Sequence, residues 1–82
     1  MALISVVMGS DSDLPVMSSC LEALARLDLP FEVRISSAHR LPGGTAEFAR
    51  NAAQNGIDVI IAGAGGAAHL AGIIAAWTPL PV

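Results

Sequence analysis

The sequence has no lysine and no tyrosine, a single cysteine, and only Phe31, Phe48 and Trp77 as aromatic side chains apart from its two histidines. Each shortage excludes something. Without lysine there is no P-loop, and no GxGxxG stands in the first strand-to-helix loop, so the standard nucleotide fingerprints are missing. Four scattered arginines against seven acids leave a net charge of -3, with neither a basic patch nor a series of stacking aromatics, which argues against nucleic acid as a partner. Cys20 alone forms no intrachain disulfide and no multi-cysteine zinc site. It falls on the apolar face of a predicted helix and reads as a core thiol. Charge of either sign is scarce: 13% of residues carry it, against about 25% in ordinary soluble domains. That is too little to cover every face of a free-standing domain, so part of the surface is expected to be buried by copies of the chain or by further chain.

What is present is apolar residue in short runs, 54% in all, over 82 residues. The length suits one small domain, and parallel-sheet units of this size bury little area alone. Thr78-Pro79-Leu80-Pro81-Val82 reads like the start of a further strand. Residues 1–82 are therefore expected to form one partial α/β domain. The N-terminus has no basic region and enters a strand pattern at once, which reads as no signal peptide and a cytoplasmic location. Val59 to Trp77 is long and apolar enough to raise a membrane span. It contains His69 and four glycines, and no arginine follows Arg50 to anchor it. Strand, glycine turn and helix explain the stretch better, so no membrane is expected.

Leu3 to Met8 has the length and continuity of a strand buried on both faces. After Gly9-Ser10-Asp11-Ser12-Asp13, Pro15 suits a first helical turn, and Met17, Cys20, Leu21, Leu24 and Leu27 share one helical face. Asp28 and Pro30 end that helix. Phe31, Val33 and Ile35 alternate with polar residues, predicting an outer strand with one wet face. Pro42 opens a second helix with Phe48, Ala49, Ala52 and Ala53 as its apolar face and Gly56 as its terminator. Its start is poor, because Leu41 is no cap and Gly43-Gly44 disfavour helix. Asp58 to Ala62 predicts a third strand. Ala67 to Trp77 predicts a third helix with little polarity on any side, suited to an interface. Strands alternating with helices predict a parallel sheet with right-handed crossovers. All three unusual loops then emerge at its carboxyl edge, where ligands of such sheets bind.

Gly9 to Asp13 lies before a helix N-terminus, a place that favours an anion, and Ser10 and Ser12 add hydroxyls suited to phosphate. Asp13 would repel phosphate, so it caps the helix or accepts from sugar hydroxyls; a plain Ser/Asp cap explains the loop equally simply. Asp11 and Asp13 also raise a Mg²⁺ phosphotransfer site, but no further acid stands at a neighbouring strand end and Asp58 is at the wrong end of its strand. Histidine is the residue type suited to proton transfer near neutral pH, and His39 stands beside Arg40, whose fork of donors suits phosphate or carboxylate. A structural histidine is the bland alternative. Gly63-Ala64-Gly65-Gly66-Ala67-Ala68-His69 permits close backbone approach and leaves room for a flat ring. A helix-packing turn is the alternative there, and His69 is either a polar contact or a helix cap.

Taken together, Gly9-Ser10-x-Ser12-Asp13, Ser37-Ala38-His39-Arg40-x-Pro42 and Ala62-Gly63-Ala64-Gly65-Gly66-Ala67-Ala68-His69-Leu70 resemble the signature loops of the PurE family of purine biosynthesis, in order and spacing. Arginine after the histidine resembles its bacterial class. The resemblance implies a flavodoxin-like three-layer αβα fold, here truncated to about three strands, and an octamer with sites between subunits. It implies conversion of N5-carboxyaminoimidazole ribonucleotide to 4-carboxyaminoimidazole ribonucleotide without metal or organic cofactor. His39 matches the catalytic acid/base, Ser10 and Arg40 the phosphate contacts, and Asp13 the ribose contact. Ser12, Gly63, Ala64, Gly65, Gly66 and His69 complete the expected substrate-binding set. A carboxylase using CO₂ and a non-catalytic ribonucleotide-binding fragment are the alternatives. Leu41 stands where that family usually has threonine, Ala71 where proline is usual and Asp28 where glycine is common, and family members continue well beyond Val82.

Overall fold

Ile4-Ser5-Val6-Val7-Met8 has no polar face to offer water, and it forms the central strand, β1 (Ile4–Met8), buried at all five positions. The computed structural model describes residues 2–82. In it α1 (Leu14–Arg26), β2 (Phe31–Ile35), α2 (Pro42–Asn51), β3 (Val59–Gly63) and α3 (Leu70–Trp77) follow β1 in chain order. The strands are parallel in the order β2-β1-β3. Ile4 is level with Phe31 and Val59, and Met8 with Ile35 and Gly63. The strands thus end together, and the loops after Met8, Ile35 and Gly63 rise from one edge.

Alternation along the strands divides the core in two. Ile4, Val6 and Met8 pack with Met17, Cys20, Leu21 and Leu24 of α1. On the other face Val7 and Ile60 pack with Phe48, Ala49 and Ala52 from α2 and its end, and with Leu70 and Ile74 of α3. This is the expected three-layer αβα arrangement of a small flavodoxin-like unit. The stretch 59–77 is a strand, a loop and an eight-residue helix, and no described helix is long and apolar enough to cross a membrane.

Several boundaries differ from the sequence reading. A 3-10 turn, Asp11–Asp13, precedes α1. Leu27 lies past the end of α1 and is exposed, although helical spacing put it on the apolar face. Asp28 closes the helix in the left-handed region, at φ 55°. Val33 and Ile35 share the α1 side with Phe31 yet are exposed, because one helix cannot roof three strands. Ala53 is likewise exposed beyond the end of α2, whereas Thr45 is fully buried. The third helix starts at Leu70 rather than Ala67, because Ala68 has φ 55° and breaks the helical path. At the far end, the Ile60 N–H donates to the Pro81 carbonyl at 3.0 Å, which lays the last residues along the free edge of β3.

Candidate functional site

The first loop is fastened to itself. Ser10 Oγ accepts the Ser12 N–H at 3.2 Å, and Asp13 Oδ2 accepts the Ser10 N–H at 3.2 Å, a reciprocal cap on the turn that leads into α1. The Ser12 hydroxyl lies 3.0 Å from that of Ser10. Asp13 therefore acts as a cap in this state, and two amides that would face an anion are already engaged.

The second loop leaves β2 with one more ladder bond, from the Ser36 N–H to the Met8 carbonyl at 2.9 Å. Ser37 then closes a tight turn: its Oγ accepts the Arg40 N–H at 3.0 Å and its carbonyl accepts the Leu41 N–H at 2.9 Å. Ala38 is buried beneath the turn, while His39 and Arg40 project outward. Leu41 gives α2 no side-chain cap.

In the third loop the glycines differ in use. Gly63 is the last residue of β3 and lies under Met17, whose Sδ would sit 2.5 Å from a Cβ placed there, so this glycine lets α1 approach the sheet. Gly66 takes φ 59°, and with Ala68 also left-handed the chain turns sharply into α3. His69 is the first residue of that helix cap, but its side chain makes no cap bond.

The three loops meet around one cavity of about 220 Å³. Gly9, Ser10, Ser12 and Asp13 line one side, Ser37, Ala38 and His39 a second, and Ala64, Gly65, Ala68 and His69 a third. Arg40 is not among them. It lines an adjoining, more open hollow of about 470 Å³ with Asp11, Ile35 and Leu41, and Gly9, Ser10 and Ser37 border both spaces. Gly63 borders a third hollow beside Met17, and Gly66 lines none of the three. Asp58 lies at the opposite edge of the sheet, where its Oδ2 accepts the Leu3 N–H at 2.9 Å. Among the described residues no group of three or more His, Cys, Asp or Glu side chains is placed to hold a metal ion.

Sequence reading singled out both histidines but not their partnership. His39 Nε2 and His69 Nδ1 are 3.2 Å apart, and the rings stack with centroids 5.1 Å apart and planes 21° from parallel. One nitrogen donates and the other accepts, so the tautomers of the two rings are linked. The pair spans 30 residues and reaches across the central strand, a relation that no local spacing encodes.

A family model described as AIR carboxylase matches residues 3–82. The chain belongs to the AIR carboxylase, or PurE, family. The match takes in all three loops. Among curated members of this family, the chain is 61% identical over 79 residues to an N5-carboxyaminoimidazole ribonucleotide mutase of Mycobacterium tuberculosis, covering 96% of this chain and 45% of that protein. It is 54% identical over 82 residues to a Thermotoga maritima protein of the same name, covering 100% and 48%. A phosphoribosylaminoimidazole carboxylase of Candida glabrata is 59% identical over 80 residues, covering 98% of this chain and 14% of that protein. The chain thus spans less than half the length of the family relatives it matches.

Proposed function

We propose that this chain is part of a purine-biosynthesis enzyme that moves a carboxylate from nitrogen to carbon, converting N5-carboxyaminoimidazole ribonucleotide to 4-carboxyaminoimidazole ribonucleotide. The observation that carries the reading is the stacked His39–His69 pair on the cavity ringed by three loops. A carbamate loses CO₂ when its nitrogen is protonated. The electron-rich ring carbon then attacks the retained CO₂, and a base removes the ring proton. His39 is the proton carrier in both transfers, and His69 holds its ring and touches the substrate. A histidine suits both directions because its unperturbed pKa lies near neutrality.

A cavity of about 220 Å³ is small for a whole ribonucleotide. The reading therefore spreads the ligand over both hollows. The imidazole and CO₂ lie by His39, Ala64, Gly65 and His69, while Gly63 and Gly66, which do not line this cavity, shape the loop that carries those residues. The phosphate lies by Ser10, Ser12 and Arg40, and the ribose by Asp13, whose carboxylate can accept a sugar hydroxyl while Oδ2 keeps the Ser10 N–H. The reaction as written needs no metal or organic cofactor. Low charge and exposed Val33, Ile35 and Trp77 support self-association, which the reading takes to an octamer; a cytoplasmic location is part of the same proposal. The second reading, carboxylation of aminoimidazole ribonucleotide by CO₂, is favoured by the carboxylase name of the Candida relative.

The test is to supply 4-carboxyaminoimidazole ribonucleotide and follow loss of the carboxylated imidazole, with His39→Asn beside the parent. The parent is expected to turn over without added bicarbonate, and the variant to lose at least about a hundredfold, the usual contribution of a general acid/base. Equal rates in both would remove His39 from its role. Binding without turnover would leave a ribonucleotide-binding module; in the forward direction, product formed from aminoimidazole ribonucleotide only when bicarbonate is added, and not from the N5-carboxylated ribonucleotide, would favour the carboxylase.

A further inference from the structure

We infer that Thr45 is a positioning residue for the histidine loop, fastening from inside the fold what the uncapped start of α2 leaves loose. Thr45 is fully buried in the first turns of α2, and its Oγ1 lies 2.7 Å from Ser36 Oγ. It also donates to the Ser37 carbonyl at 3.3 Å. If Thr45 donates to that carbonyl, Ser36 must donate to Thr45, so each proton has one place to go.

The same Ser37 carbonyl accepts the Leu41 N–H, and the Ser37 hydroxyl accepts the Arg40 N–H. One buried hydroxyl thus ties the end of β2 to the turn that presents His39 and Arg40. Leu41 is exposed, and no side-chain cap bond supplements the backbone bond from the Thr45 N–H to the Leu41 carbonyl at 3.0 Å. A threonine at the usual cap position would restrain the turn from outside; Thr45 restrains it from beneath. The bond to Ser36 is short and buried, so no water competes for it, and it anchors the hydroxyl whose longer, partly buried bond reaches the Ser37 carbonyl.

Only the catalytic consequence rests on the proposed role of His39. The placement itself is read without activity. In Thr45→Val, amide hydrogen exchange at Arg40 and Leu41 is expected to speed up about tenfold beyond any change at Val6 and Val7, the equivalent of one lost net hydrogen bond. The His39 and His69 ring signals in NMR should move toward those of separate imidazoles. Thr45→Ser should keep the parent values, and Leu41→Thr added to Thr45→Val should recover part of the loss. Where the parent turns over the carboxylated ribonucleotide, kcat should fall about tenfold with KM little changed, by the same lost bond. If Thr45→Val is too unstable to study, Ser36→Ala removes the donor on the other side and should show the same local loosening. Uniform exchange changes with unmoved histidine signals would reduce Thr45 to core packing and overturn the inference. Absence of turnover in the parent, with the exchange and ring effects present, would sink the proposed reaction and leave the clamp standing.

Discussion

Ser5 is buried in the central strand, and its hydroxyl has no hydrogen-bond partner among the described residues. A hydroxyl taken out of water without a partner costs about 1–3 kcal/mol. Ser5→Ala removes that cost while leaving a small void, so it is expected to raise stability by about 1 kcal/mol in urea unfolding. A clear loss instead would mean that the hydroxyl is satisfied in solution. Asp28 is a second site where one residue works against its backbone, at φ 55°. Asp28→Gly is expected to add about 0.5–1 kcal/mol, since glycine takes the left-handed region without a Cβ penalty. The sequence made this position legible, because a helix had to end before Pro30 and glycine is common there in the resembling family. It did not reveal the strain of Ala68, which ends a run of small residues that imposes no pattern.

Among the elements, the strands were readable because β1 and β3 are short, mainly apolar runs and β2 alternates apolar with polar residues. Helix starts were unevenly readable: Pro42 marks that of α2 despite the missing cap, whereas α3 begins only beyond Ala68, which takes the left-handed region. The contact between α1 and β3 was not readable at all. Gly63 reads as loop flexibility in the sequence, but Met17 fills the space above it. Gly63→Ala should therefore destabilise by about 1–2 kcal/mol, the usual cost of an overpacked contact. The obstruction is mostly the far end of a flexible side chain, which eases the shift, and Met17→Ala should cost less in the Gly63→Ala chain than in the parent. Strict additivity of the two changes in urea unfolding would show that the residues do not meet. The same logic limits what patterning offers for the site. Loop order and parallel pairing bring His39 and His69 to one edge, but the 3.2 Å approach between their nitrogens depends on how the third loop turns.

At the scale of the molecule, the Cα trace is a slab of 32 × 29 × 14 Å with unequal faces. Two helices cover one side of the sheet and one covers the other, which leaves Val33 and Ile35 about half exposed at 44% and 53%. Val16 and Leu27 are also open, and few charges separate these apolar positions. Exposed apolar area of this kind gains free energy by being covered, at about 25 cal/mol per Å². The chain is thus expected to self-associate, with a mass by light scattering above the 8.3 kDa of one copy and rising with concentration. Val33→Thr with Ile35→Thr keeps β-branched residues in β2 while making this strip polar. If the strip is a contact, the pair should lower the mass without lowering cooperativity of unfolding. If the mass stays as before, association runs through another surface, with the exposed Trp77 end of α3 the next to alter. If the parent is a well-folded monomer at every concentration, low charge and the open sheet face do not drive assembly. A site shared between copies would then have no basis in this part of the chain, and the three loops would have to act within one molecule.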